Sequence, residues 1–108
     1  MKMKEIITHT AVMKNCIVMD AIHFQSTIEI IKKALYKKYR LSEWIYKFNL
    51  VSHHLPAEGI VRWEIAFEDT YFGRWICGRT DYNSKDGLFY TYIDYDNITY
   101  AKPDWIVY

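Results

Sequence analysis

Residues 60–68, IVRWEIAFE, alternate with a period of two. Val61, Trp63, Ile65 and Phe67 share one side, and Arg62, Glu64, Ala66 and Glu68 the other. A strand with one apolar face must bury it against another layer, and the upstream half of the chain supplies that layer. There Ile28, Ile31, Leu35 and Tyr39 recur at helical spacing, behind a Ser26–Glu29 pair with the S-x-x-E spacing of a capping box. A chain that switches from helical to strand period, and stays there, is expected to fold as α+β with a mostly antiparallel sheet.

The remaining elements follow from local signals. NCIVMDAIHF (15–24) is apolar and β-branched over a strand-like length. Ser42 precedes Glu43, Trp44, Ile45 and Phe48 as an N-cap would, which predicts a second helix ending at His53, His54, Leu55 and Pro56. Asp69 to Gly73 predicts a turn, with Arg74 to Thr80 as the returning strand. Asn83, Ser84, Lys85, Asp86 and Gly87 form the strongest loop signal. LFYTYIDY (88–95) and ITYAKPDWIVY (98–108) are expected as two strands joined at Asp96–Asn97, a turn-prone pair. The predicted fold is one α+β domain over residues 1–108, with four to five strands and two helices packed on one side.

With 51% apolar and 18% aromatic residues, the chain has ample material for a core without disulfides. Cys16 and Cys77 fit two separate buried thiols, though in an oxidising compartment they could pair. No apolar run approaches the roughly 20 residues of a membrane span. MKMKEIITHT lacks the apolar region of a signal peptide, so a cytoplasmic setting without a membrane partner is expected. The net charge of +1 hides an asymmetry: residues 1–50 carry nine Lys/Arg against four Asp/Glu, and residues 51–108 carry five against nine.

Few motifs carry chemistry. GRWICGRT (73–80) is one residue away from the phosphate-loop pattern G-x-x-x-x-G-K-[ST]. Its loop positions Arg74, Trp75, Ile76 and Cys77 are bulky, Arg79 replaces the lysine, and DYNSKDG follows where a helix is needed. The spacing is that of a strand flanked by two glycines. His9, Cys16 and His23 lie seven apart, and His53 and His54 are adjacent; on strands both sets diverge, so neither a metal nor a cofactor is expected. Cys77 with His53 or His54 could form a nucleophile pair, and Asp94 with Asp96 an acid–base pair. Neither arrangement is specific, no catalytic residue is assigned, and a non-enzyme is expected.

Surface chemistry is richer. Lys33, Lys37 and Arg40, with Lys32 and Lys38 beside them, could track phosphates or form the solvated side of an amphipathic helix. Tyr90, Tyr92, Tyr95, Tyr100 and Tyr108 crowd the last strands among aspartates, which would repel a phosphate backbone. Direct nucleic-acid binding is therefore the lesser expectation, and a protein partner the greater.

IVMDAIHFQS (17–26) at one end, and YIDYDNITYAKPDWIVY (92–108) at the other, together resemble a family of short bacteriophage and prophage proteins of unassigned function. In that family an "IEAFQ" strand leads into a helix and the last strands carry a turn followed by a "PGDWI" segment. Here Pro103 is followed directly by Asp104, without the glycine. The resemblance implies a context: small phage products of this kind often act stoichiometrically, blocking a host machine or a defence system as anti-CRISPR inhibitors do.

The combined expectation is a small non-enzymatic binding protein that inhibits a host or defence-system macromolecule. Its docking surface is predicted at Asp94, Tyr95, Asp96 and Tyr100, with the basic helix face second. One alternative is a protein that sequesters a nucleotide signal, with Arg62, Arg74 and Arg79 gripping phosphates. Another is a structural or assembly protein that self-associates through its aromatic sheet, as a homodimer in the simplest case.

Overall fold

The computed structural model describes residues 16–50 and 58–106 and has one helix on a five-stranded antiparallel sheet. β1 (Cys16–Asp20) leads into α1 (Phe24–Lys38). β2 (Trp44–Leu50), β3 (Ile60–Asp69), β4 (Arg74–Asn83) and β5 (Leu88–Thr99) then run as a meander. The strand order is β1-β5-β4-β3-β2, so among the described residues the first two strands in sequence are the two edges of the sheet. Every pairing is antiparallel, so both edges point the same way and α1 crosses the sheet to join them. None of the described helices is long and apolar enough to cross a membrane.

The predicted period-two alternation builds the core. Ile65 and Phe67 on β3, Ile76 on β4, Ile93 on β5 and Ile17 and Met19 on β1 meet Ile28, Ile31 and Leu35 of the helix stripe. None of these side chains is more than 7% exposed. Thr80 and Thr91, directly opposed across β4 and β5, share a hydroxyl hydrogen bond of 3.0 Å in the same layer.

Three predicted features are corrected. First, α1 begins at Phe24, so Ser26 lies within its first turn and makes no capping box. The Asp20 carboxylate, at the end of β1, accepts the His23 amide instead (2.9 Å). Phe24 is drawn in against Phe89, with ring centroids 4.9 Å apart, which sets the helix start earlier than the serine signal.

Second, residues 44–50 are a strand and not a second helix. WIYKFNL is dense in aromatic and β-branched residues, which favour a pleated half-buried surface. Its pairing with β3 runs unbroken from Trp44↔Asp69 to Leu50↔Trp63. Ser42 caps nothing; its hydroxyl donates to Asp69 (3.0 Å).

Third, Asp96–Asn97 is not a hairpin turn. β5 runs on to Thr99, and no strand is formed by residues 100–106. The turn-prone pair sits in a bulge: Ile76 pairs with Ile98 and Gly78 with Ile93, so Cys77 alone faces Asp94, Tyr95, Asp96 and Asn97. Gly78 permits this, because a Cβ there would lie 2.1 Å from the Tyr92 carbonyl oxygen. The predicted loop at 83–87 is a tight turn, with Gly87 at φ 72° donating its amide to the Asn83 carbonyl (2.8 Å).

Candidate functional site

The exposed apolar residues are not scattered. Of the nine large hydrophobic side chains that are exposed among the described residues, six lie on β2 or beside its beginning: Leu41, Ile45, Phe48, Leu50, Tyr71 and Phe72. β2 is an edge strand, and among the described residues its only neighbour is β3. Trp44 anchors it, fully buried under the helix, while Phe48 further along is 62% exposed. The β3–β4 turn brings Tyr71 and Phe72 to the same end as Leu41, because the Thr70 amide donates to the Glu43 carbonyl (3.1 Å).

Leu41 itself stands at φ 66°, the left-handed region that costs a branched side chain about 1–2 kcal/mol. It is 85% exposed, so packing does not offset that strain.

A buried polar cluster fixes this end of the sheet. Asp69, with no exposed surface, accepts from Arg74 Nε (2.6 Å), from the Ser42 hydroxyl (3.0 Å) and from the Tyr71 amide (3.0 Å). Burial alone would raise the Asp69 carboxyl, but those three donors hold it below its ordinary range. The Arg74 guanidinium lies over the rings of Phe72 (4.9 Å), Tyr39 (5.1 Å) and Trp44 (6.0 Å). The cluster therefore clamps the start of β2 to the β3–β4 turn.

That placement separates the three arginines of the phosphate-gripping alternative. Arg74 lies on the helix side, whereas Arg62 and Arg79 lie on the other face of the sheet and share one carboxylate. Arg62 binds Asp81 through two bonds (2.7 and 2.9 Å), and Arg79 approaches it at 3.5 Å while stacking on Tyr92 at 4.3 Å. Arg62, Arg79 and Tyr92, with Glu64 and Asp94, line a shallow depression of about 470 Å³. Its positive charge is already matched by acids.

The predicted docking residues are divided in role. Asp94 and Tyr100 are exposed. Asp96 is ion-paired with Lys38, and the Tyr95 carbonyl accepts the Tyr39 hydroxyl (2.5 Å), so the β5 bulge fastens the end of α1 to the sheet. Asp94 and Asp96 belong to the bulge and not to one face of a regular strand. Lys33, Lys37 and Arg40 are exposed and, among the described residues, have no ionic partner.

The remaining sequence candidates do not assemble. His23 bonds Asp20 (2.8 Å); His9, His53 and His54 lie outside the described residues, and with them the Cys77–histidine pair. Burial pushes both the Cys16 and Cys77 thiols up, which disfavours the nucleophilic thiolate. No group of metal-ligating side chains is formed among the described residues. The β2 edge escaped the sequence reading because its exposure depends on strand order, which no local signal carries. No protein family, curated protein or solved structure matches this chain.

Proposed function

We propose that this chain is a non-enzymatic binding protein that docks onto another protein along the outer edge of β2. The carrying observation is the concentration of exposed apolar side chains on that edge and at its start, including a leucine kept at a strained backbone position. A water-facing patch of this kind marks an interaction surface, and an open strand edge offers its amides and carbonyls to an added strand. An extended segment of the partner pairs with β2, and Phe48, Leu50 and Leu41 provide apolar contact beside it. The prophage-like ends of the sequence favour a stoichiometric inhibitor of a host or defence-system macromolecule as the role served by such docking. The surface differs from the Asp94, Tyr95, Asp96 and Tyr100 surface at the end of β5, two of whose four residues are engaged in holding α1.

The test is capture of a tagged chain from a bacterial lysate, repeated with two variants. The reading predicts a protein that co-purifies at fixed stoichiometry with the wild type, is lost with Phe48→Asp, and is retained by Asp94→Lys with Asp96→Lys. Loss with the aspartate variant and retention with Phe48→Asp would return the docking surface to β5.

A further inference from the structure

The path of α1 leaves a second recognition feature on the same side of the sheet. The helix starts beside the beginning of β5, where Phe24 meets Phe89, and ends beside the beginning of β2, where the Tyr39 and Trp44 rings lie 5.7 Å apart. Crossing diagonally, it does not cover the corner formed by the end of β2 and the start of β3. A groove of about 570 Å³ opens there, within the range of about 300–1,000 Å³ that small-molecule sites occupy.

The lining is largely aromatic. Phe24 and Trp63 of the lining lie 4.9 and 6.1 Å from Phe89, ring centroid to ring centroid, and Tyr82, outside the lining, packs on Phe89 at 4.7 Å. On the other side Tyr46 stacks with Phe48 at 5.5 Å and 24°. Thr80 in the lining spends its hydroxyl on Thr91, so it presents little unsatisfied polarity to the groove. Burial pushes the Tyr46 phenol up to about 12, so it enters the groove neutral and does not repel an anion.

One charge breaks this pattern. Lys32 lines the groove, is only partly exposed, and has no ionic partner among the described residues. An ammonium at the rim of an aromatic groove, with no acid in the lining beside it, is a ready partner for an anionic group. We infer that the groove binds an amphipathic organic monoanion, with its apolar body among Phe24, Trp63, Phe89 and Tyr46 and its acidic group on Lys32. The groove shares Ile45 and Phe48 with the β2 edge, but its ligand is a small molecule held by Lys32, so the Lys32 variant tests it independently of the docking proposal.

The probe is anilinonaphthalene sulfonate, an apolar aromatic anion, titrated against the full chain by fluorescence. The uncharged N-phenylnaphthylamine is the control. The expected result is one saturable site for the sulfonate, weakened about tenfold by Lys32→Met through the lost charge-assisted bond. N-phenylnaphthylamine should bind both proteins alike. Gln25→Trp, which adds bulk at an exposed position on the lining, should weaken both probes without altering the melting temperature. Displacement by decanoate would assign an acyl body, and displacement by naphthoate an aromatic one. No saturable binding by the folded protein, or equal sulfonate affinity in Lys32→Met, would overturn the inference.

Discussion

The two edges of the sheet point the same way and are joined by the same helix, yet they are finished differently. On β1, Cys16, Ile17, Val18 and Met19 are all at most 4% exposed. Ile17 and Met19 pack under α1, while Cys16 and Val18 pack with Leu88 on the opposite face. On β2 only Trp44 is buried; Ile45, Phe48 and Leu50 are 43, 62 and 47% exposed. An edge buried on both faces is held by the core. An edge that keeps apolar groups in water is a hazard that folds usually blunt. The aromatic-rich composition does not force that exposure, since β1 shows that this chain can bury an edge. The difference is what the docking proposal rests on: the two edges bury their apolar side chains to very different degrees.

The largest expected effect lies at the clamp that presents β2. Asp69→Asn breaks an ion pair whose carboxylate is fully buried and leaves the partly buried Arg74 without its counter-charge; it should cost about 3 kcal/mol of unfolding free energy, measurable by urea titration. The same carboxylate sets an acid limb. Its folded-state value lies below the ordinary 3.8, so its contribution is fully present above that pH and drains away as pH falls through the lower, folded value. Stability of the wild type should fall in that acid window, and Asp69→Asn should lack this component of the fall.

A direct contrast of the edges comes next. Met19→Ala should cost about 2–5 kcal/mol as a core truncation. Phe48→Ala, at an exposed site, should stay within about 0.5 kcal/mol of wild type. Equal losses would break the comparison, since Phe48 would then be a packing residue.

The smallest effect is the sharpest. Leu41→Gly should raise stability by about 1 kcal/mol by relieving the left-handed strain, and at the same time weaken partner capture. A loss of stability would mean that the leucine serves the fold and not the docking surface.

Much of this architecture was legible in the residues, and its failures have physical reasons. The alternation of Val61 to Phe67, the stripe Ile28, Ile31 and Leu35, and the Asn83–Gly87 turn depend on local pattern, which the sequence carries in full. Residues 44–50 are ambiguous: Trp44, Ile45 and Phe48 suit a helix face, and Trp44, Tyr46 and Phe48 suit a strand face equally well. Pairing with β3 decides between them, and pairing is not a local property. At Asp96–Asn97 the signal marked an irregularity in the right place, but its kind is set across the strand by Gly78. For the candidate site, strand parity already separated Arg74 from Arg79, which lie five residues apart on β4 and so face opposite ways. The exposure of Phe48 could not be read, because it follows from the strand order and from the diagonal path of α1.

The most direct test of the docking edge is site-specific photocrosslinking of the full chain in bacterial cells. Benzoylphenylalanine replaces Phe48 on the β2 edge in one protein and Tyr100, which is 71% exposed beyond β5, in another. The account predicts a covalent adduct with one partner protein from the Phe48 position and none from the Tyr100 position. An adduct from the Tyr100 position alone would contradict it.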